Sequence, residues 1–268
     1  MSLKRWLTAL VALPVLFVVI RYGGEAAFAS LVLIVSLLGL WEYYAMVLTP
    51  GQRAFGWTGL VAGFFLLVGV SVGGAQALPP IIAFLFMGIA IILLLRFGKE
   101  NEEAISDALT RLICGVIYVP FLLSHLVLIR NYDDGAVWIF FVLAVVFALD
   151  TSAYYVGTYA GRHKLYPAVS PKKTWEGAIG GLIGALFAAW LFKRCFWGDL
   201  AWLHLLVLTL CMGVCGEVGD LVESMIKRSM HVKDSGTLLP GHGGILDRID
   251  SLLFVAPIVY YYKELLIR

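Results

Sequence analysis

Between Glu217 and Ser251 the chain reads EVGDLVESMIKRSMHVKDSGTLLPGHGGILDRIDS, where six acids (Glu217, Asp220, Glu223, Asp234, Asp247, Asp250) stand beside four bases (Lys227, Arg228, Lys233, Arg248). At about 100° per residue, Glu217, Asp220, Ser224 and Lys227 fall within roughly 80° of one another on a helix. Asp247, Asp250 and Ser251 share a face of the next one. Pro240, Gly241, Gly243 and Gly244 lie between them and permit tight turns and a close approach of backbone to a ligand. Carboxylates converging from two helices are hard oxygen ligands suited to Mg²⁺, and Lys, Arg and His beside them suit phosphates. A charged loop with solvated ends is the simpler reading of such a run. Against it, the charges continue into both apolar helices, where they are costly and usually functional.

A second chemically rich stretch runs from Asp150 to Gly177, DTSAYYVGTYAGRHKLYPAVSPKKTWEG. Asp150 falls inside an apolar helix, one turn from Tyr154 on the same face. The loop after it carries Arg162, His163, Lys164, Ser170, Lys172, Lys173 and Thr174 ahead of Glu176, with Thr174 placed to cap the helix that follows. Alone, a basic loop at a membrane surface would best be read as contacting anionic headgroups. Beside a second anion-suited loop it makes a phosphate clamp.

The elements that position these residues are apolar helices. The chain has 61% hydrophobic and 14% charged residues in 268, with mean hydropathy +0.90, well outside soluble averages. The predicted fold class is all-α, a polytopic transmembrane helical bundle of about nine spans: 6–22, 26–48, 56–76, 79–96, 109–129, 135–157, 177–193, 201–226 and 247–266. It forms one integral membrane domain, with spans to about residue 130 mainly scaffold and 135–268 carrying the site. The first apolar run is read as a retained span, because Arg21 and Glu25 separate it from the small residues that could imitate a cleavage site.

Fourteen Lys and Arg fall on one side of this topology and six on the other, which predicts a cytoplasmic N-terminus and puts both polar loops in the cytoplasm. Glu42, beside Trp41, Tyr43 and Tyr44, reads as a carboxylate at headgroup level in an aromatic belt, with a buried functional acid as the less favoured reading. Residues 99–110, with Glu100, Glu102, Glu103 and Asp107, read as a solvated amphipathic connector. Gly180 and Gly184 have small-xxx-small spacing, for a contact within the chain or between subunits. Cys114, Cys195, Cys211 and Cys215 read as packing residues, since no histidine or second pair completes a metal site. A net charge of +2 gives no argument for nucleic acid.

The run Ser224, Lys227, Arg228, Lys233, Asp234, Gly236, Leu239, Pro240, His242, Gly243, Gly244, Asp247, Arg248 and Asp250 resembles the signature of phosphatidate cytidylyltransferases, the CDP-diacylglycerol synthases. Asp150, Ala153, Tyr154, Gly157, Gly161, Ser170, Pro171, Lys172, Lys173, Thr174, Glu176 and Gly177 resemble the family's upstream segment. The first 149 residues agree only in hydropathy. The resemblance implies cytidylyl transfer from CTP to phosphatidate, giving CDP-diacylglycerol and pyrophosphate with Mg²⁺. It implies an integral enzyme of a bacterial inner (plasma) membrane, with CTP, phosphatidate and the bilayer as partners. A homodimer is an expectation on general grounds.

Asp220 and Asp247 are the leading metal ligands, each at the end of a helix flanking the glycine loop, with Glu217 and Asp250 one turn away as second choices. Lys227, Arg228, Lys233 and Arg248 are expected to contact phosphates, with Ser224, and with Ser170, Lys172 and Lys173 closing from the other loop. Asp220, Asp247, Lys227 and Lys233 form the expected catalytic set. His242, Gly243 and Gly244 could offer backbone N–H groups to an oxyanion, and a structural hydrogen bond is an equal reading for His242. Three other classes compete on composition alone. A transporter would hold its charges at mid-membrane on broken helices related by a repeat, and no repeat is evident. A CTP-dependent polyprenol kinase would move the terminal phosphoryl instead, and a nucleotide-sugar phosphotransferase would need similar carboxylates.

Overall fold

The structure is a computed structural model describing residues 3–98, 102–197, 200–238 and 243–267. Its chain forms helices almost throughout, and by contacts it divides into two compact units: Met1–Asn131 with Asp234–Arg248, and Tyr132–Lys233 with Ile249–Arg268.

The first unit holds α1 (Leu3–Tyr22), α2 (Gly24–Val47), α3 (Gly56–Gly73), α4 (Leu78–Leu94), α5 (Glu102–Val116) and α6 (Leu122–Arg130). Its centre is Tyr44, whose hydroxyl donates to the Leu112 carbonyl at 2.8 Å. The ring fits because Gly59 and Gly115 flank it: an added Cβ would come within 2.2 and 2.5 Å of its atoms. A π turn, Ile117–Phe121, joins α5 to α6. Pro120 lies in that turn and has no N–H to continue the α pattern. His125 Nδ1 lies 3.0 Å from the Phe121 carbonyl and Ser124 Oγ donates to it at 2.7 Å, so side chains occupy a carbonyl at the irregularity.

The expected connector is helical from Glu102, with Ile105, Ala108 and Leu112 buried and Glu102 and Glu103 outward. Gln52 binds its first turn through the Ala104 carbonyl at 2.7 Å. Lys99 and Glu100 lie outside the described residues.

The second unit holds α7 (Gly135–Tyr159), a short antiparallel hairpin of β1 (Lys164–Tyr166) and β2 (Ser170–Thr174), α8 (Trp175–Phe196), α9 (Trp202–Ser229) and most of α10 (Leu246–Leu266). Among the described residues, this two-stranded hairpin is the sheet structure added to the helical expectation. Helices α7 and α8 pack along their length through glycines: a Cβ at Gly180 would lie 2.6 Å from Val156 and one at Gly184 2.0 Å from the Ser152 hydroxyl. The small-xxx-small pair therefore serves a contact within the chain. Thr174 caps α8 as predicted, its Oγ1 accepting from the Gly177 N–H at 3.1 Å.

Among the described residues, seven helical segments are long and apolar enough to cross a membrane, from Gly24–Val47 to Trp202–Ser229. The other two of the nine expected spans correspond to α1, apolar over Leu13–Tyr22, and to α10, which carries charges near both ends. The helical membrane architecture is thus the one the hydropathy predicts. All four cysteines are free, but Cys114 and Cys195 are exposed on their helices, so they are not core packing residues.

Candidate active site

Three elements of the second unit meet around α9. Lys173, on β2, reaches across to donate to Glu217 at 2.7 Å, and its ammonium lies 2.9 Å from Asp220. Burial works against the charged lysine, but the Asp220 and Glu217 carboxylates outweigh it, and its pKa stands above the ordinary 10.5. The stabilisation from this bridge is therefore fully present below that value and fades only as pH rises through the higher folded one. Ser224 donates to the other Asp220 oxygen at 3.3 Å.

One turn further along α9, Glu223 is 1% exposed and pairs with Lys227, itself nearly buried. From α10, Asp250 accepts from the Ser251 N–H at 2.8 Å, and the Ser251 hydroxyl points to Asp150 of α7 at 3.5 Å. The helices can come this close because α9 has a glycine at the crossing: a Cβ on Gly219 would lie 2.7 Å from the Asp250 carbonyl oxygen.

One carboxylate oxygen each from Asp220, Glu223 and Asp250 lie within 4.8 Å of one another. Oxygens trans across Mg²⁺ lie roughly 4 Å apart and across Ca²⁺ roughly 5 Å, so the spacing suits one hard cation. The charge agrees with this, because Asp150, Glu217, Asp220, Glu223 and Asp250 outnumber Lys173 and Lys227. These residues fit the implied metal, with Glu223 in a place the sequence reading gives to none of its chosen ligands.

In the first unit, Asp247 opens α10 with one oxygen accepting three hydrogen bonds: from Gly244 N–H at 2.9 Å, Ser235 N–H at 3.0 Å and Ser235 Oγ at 3.0 Å. Gly243 has φ +84°, a conformation that L side chains rarely adopt, and it brings the loop back over this carboxylate. Behind it stands Glu42. The structure matches the less favoured, buried reading of that residue: it is 6% exposed, accepting from the Leu246 N–H at 2.9 Å, with the Ser235 hydroxyl oxygen 3.2 Å away. It is Trp41 that faces outward, set edge-on to Trp57.

Arg228 is occupied by backbone, donating to the carbonyls of Val169 at 3.4 Å and Val232 at 3.1 Å, so it ties the hairpin turn to the end of α9. Lys172, Lys233, Asp234 and Arg248 are exposed, and Ser170 is half-buried at the start of β2. Glu176 accepts from the Arg162 and His163 N–H groups and sits 2.6 Å from His163 Nδ1, closing the base of the hairpin. His242 lies outside the described residues. Sequence reasoning left Glu223 without a role, although its spacing of four from Lys227 marks both for the same side of α9. For Glu42 no local signal existed, since its partners lie about two hundred residues away.

A family model described as "Cytidylyltransferase family" matches residues 3–266. The chain is 41% identical to the phosphatidate cytidylyltransferase of Bacillus subtilis (strain 168) over 178 residues, 66% of each chain. It is 36% identical to that of Staphylococcus haemolyticus (strain JCSC1435), over 95% of this chain and 96% of the relative. With the enzyme of the same name from Synechocystis sp. it shares 32% over 100% of this chain and 98% of the relative. Together with an acidic, lysine-bridged cluster held between apolar helices, a match running nearly from end to end places this chain in the cytidylyltransferase family.

Proposed function

We propose that the protein transfers a cytidylyl group from CTP to phosphatidate, giving CDP-diacylglycerol and pyrophosphate. The observation that carries the reading is the Asp220, Glu223 and Asp250 cluster beside Lys173, in a chain that matches the family from end to end. The chemistry requires no serine nucleophile or histidine base, because a phosphate monoester is already an anionic nucleophile near neutral pH. It requires charge neutralisation, since a triphosphate and a lipid phosphate repel and pyrophosphate leaves as a polyanion.

We assign Asp220, Glu223 and Asp250 to hold Mg²⁺, with Glu217 orienting Lys173. Bound there, Mg²⁺ would polarise phosphoryl oxygens and offset the charge on the leaving group. Lys173 and Lys227 hold the carboxylates in register, and an incoming phosphate can exchange for a carboxylate at either ammonium. Lys172, exposed in the middle of β2, and Lys233, exposed in the loop after α9, can reach polyphosphate oxygens. In-line placement of the lipid phosphate against the α-phosphorus accounts for the remaining rate. For Asp247 the support is the signature and a carboxylate fixed by three hydrogen bonds. The excess of basic residues on one side supports a site that faces the cytoplasm, where CTP is.

The test is a product assay on purified protein with phosphatidate, Mg²⁺ and CTP labelled separately at the α and γ phosphates. The expected result is α label in the lipid and γ label in released pyrophosphate. Transfer of the γ label to a lipid alcohol would make the protein a kinase, and no transfer to any lipid would remove the enzymatic reading.

A further inference from the structure

We propose that Glu42, on α2, is a positioning residue for the reaction: its carboxylate is the anchor on which the loop carrying Gly236, Gly244 and Asp247 is assembled. The inference rests on the cytidylyl-transfer reading above. Three observations converge on it. The first is reach, because Glu42 Oε2 accepts the Leu246 N–H at 2.9 Å and lies 3.2 Å from the Ser235 hydroxyl oxygen, within hydrogen-bond reach of the loop at both its ends.

The second is fit. An added Cβ would lie 2.5 Å from Glu42 Oε1 if built on Gly236 and 2.4 Å from Oε2 if built on Gly244. Two glycines of the polar loop are thus seated against one acid of the apolar scaffold.

The third is sharing. The Ser235 hydroxyl has one proton and lies within reach of both Glu42 at 3.2 Å and Asp247 at 3.0 Å, while its oxygen accepts from the Asp247 N–H at 3.3 Å. The proton can serve one carboxylate at a time, so Glu42 and Asp247 are coupled through a single side chain. Loss of Glu42 removes the acceptor for the Leu246 N–H and leaves Ser235 to Asp247 alone. The α10 entrance then loses its fixed register, and with it the placement of Asp247.

Glu42 touches neither nucleotide nor lipid in this scheme, so its removal should act on turnover and spare binding. In the full-length protein in lipid discs, Glu42→Ala is expected to lower kcat by about 100-fold with KM for CTP roughly unchanged. Amide exchange should rise in 234–247 and stay as in the parent across α3 and α5. Glu42→Gln keeps an acceptor oxygen and the same shape, and should restore both kcat and protection. Ser235→Ala, which leaves the Leu246 bond in place, should fall between the two.

Unchanged kcat in Glu42→Ala overturns the proposal. So does increased exchange spread evenly through the first unit, which would make Glu42 a general stability residue. A Glu42→Gln protein as inactive as Glu42→Ala overturns it too, by showing that charge and not the acceptor matters. The exchange pattern tests the anchor without any turnover. Failure of the parent protein to transfer a cytidylyl group would therefore be told apart from failure of the anchor.

Discussion

Each candidate carboxylate is held by groups of its own unit, and what holds it sets what its replacement does. Asp220 is bridged by Lys173 and touched by Ser224, while Asp247 is fixed by Ser235 and Gly244. An amide has nearly the same shape as the acid but only one acceptor oxygen and no charge. Asp220→Asn and Asp247→Asn should each fold, insert and lose transfer by at least about 100-fold, the scale of a lost electrostatic contact at developing charge. Near-normal turnover in either would strike that residue from the chemistry. Glu223 and Lys227 differ because the pair is buried. Glu223→Gln leaves an ammonium in a nearly closed space and should cost about 3 kcal/mol of stability. The double replacement Glu223→Gln with Lys227→Met should recover most of it in a thermal melt yet remain inactive. A double variant as unstable as the single one would show that the pair is not the source of the loss.

At the scale of elements, the site depends on how closely α7 and α8 approach, because α7 carries Asp150 and α8 is entered directly from the strand that carries Lys173. The glycines set that separation. Gly180→Ala would place a Cβ 2.6 Å from the Cβ of the branched Val156 side chain, so that something must shift to admit it. Overpacking of this kind costs about 1–3 kcal/mol. A lowered melting midpoint together with weakened transfer is expected, and an unchanged midpoint would mean that the helices separate freely. The hairpin was not legible beforehand. Its strands are three and five residues long, it contains Pro167, Pro171 and three lysines, and no alternation of apolar residues marks it. What forms it is Glu176 gathering the N–H groups of Arg162 and His163 at the start of α8.

For the whole molecule, the excess of acid over base in the cluster around α9, where Asp150, Glu217, Asp220, Glu223 and Asp250 face Lys173 and Lys227, has a thermodynamic consequence. A cation that binds the folded cluster and not the unfolded chain raises apparent stability by mass action. Adding Mg²⁺ to chelator-treated protein should raise its melting midpoint, and the rise should vanish in Asp220→Asn. An equal rise in both proteins would place the ion elsewhere. Nine membrane crossings would leave the two termini on opposite faces, and the basic bias predicts a cytoplasmic N-terminus. Reporter fusions at each end should therefore give opposite signals, with the N-terminal reporter inside. Equal signals would require an even number of spans.

Legible from the residues alone were the membrane-spanning helical class, the approximate bounds of the helices, the Thr174 cap and the stretch of α9 that bears the acids. These depend on local quantities: hydropathy summed over twenty residues, a 3.6-residue period, and a hydroxyl three residues before the N–H it accepts from. The tertiary structure alone decided which acids meet. Glu223 joins Asp220 and Asp250 because Gly219 lets α10 approach α9, a matter of the backbone crossing that no spacing within α9 encodes. Lys173 faces carboxylates because a hairpin turns it back over α9, and Arg228 is taken up by two carbonyls near the same turn. Glu42 looks like any acid at the end of an apolar helix until Ser235 and Leu246 are brought to it. Its partners are long-range, and a long-range hydrogen bond leaves no period in a sequence.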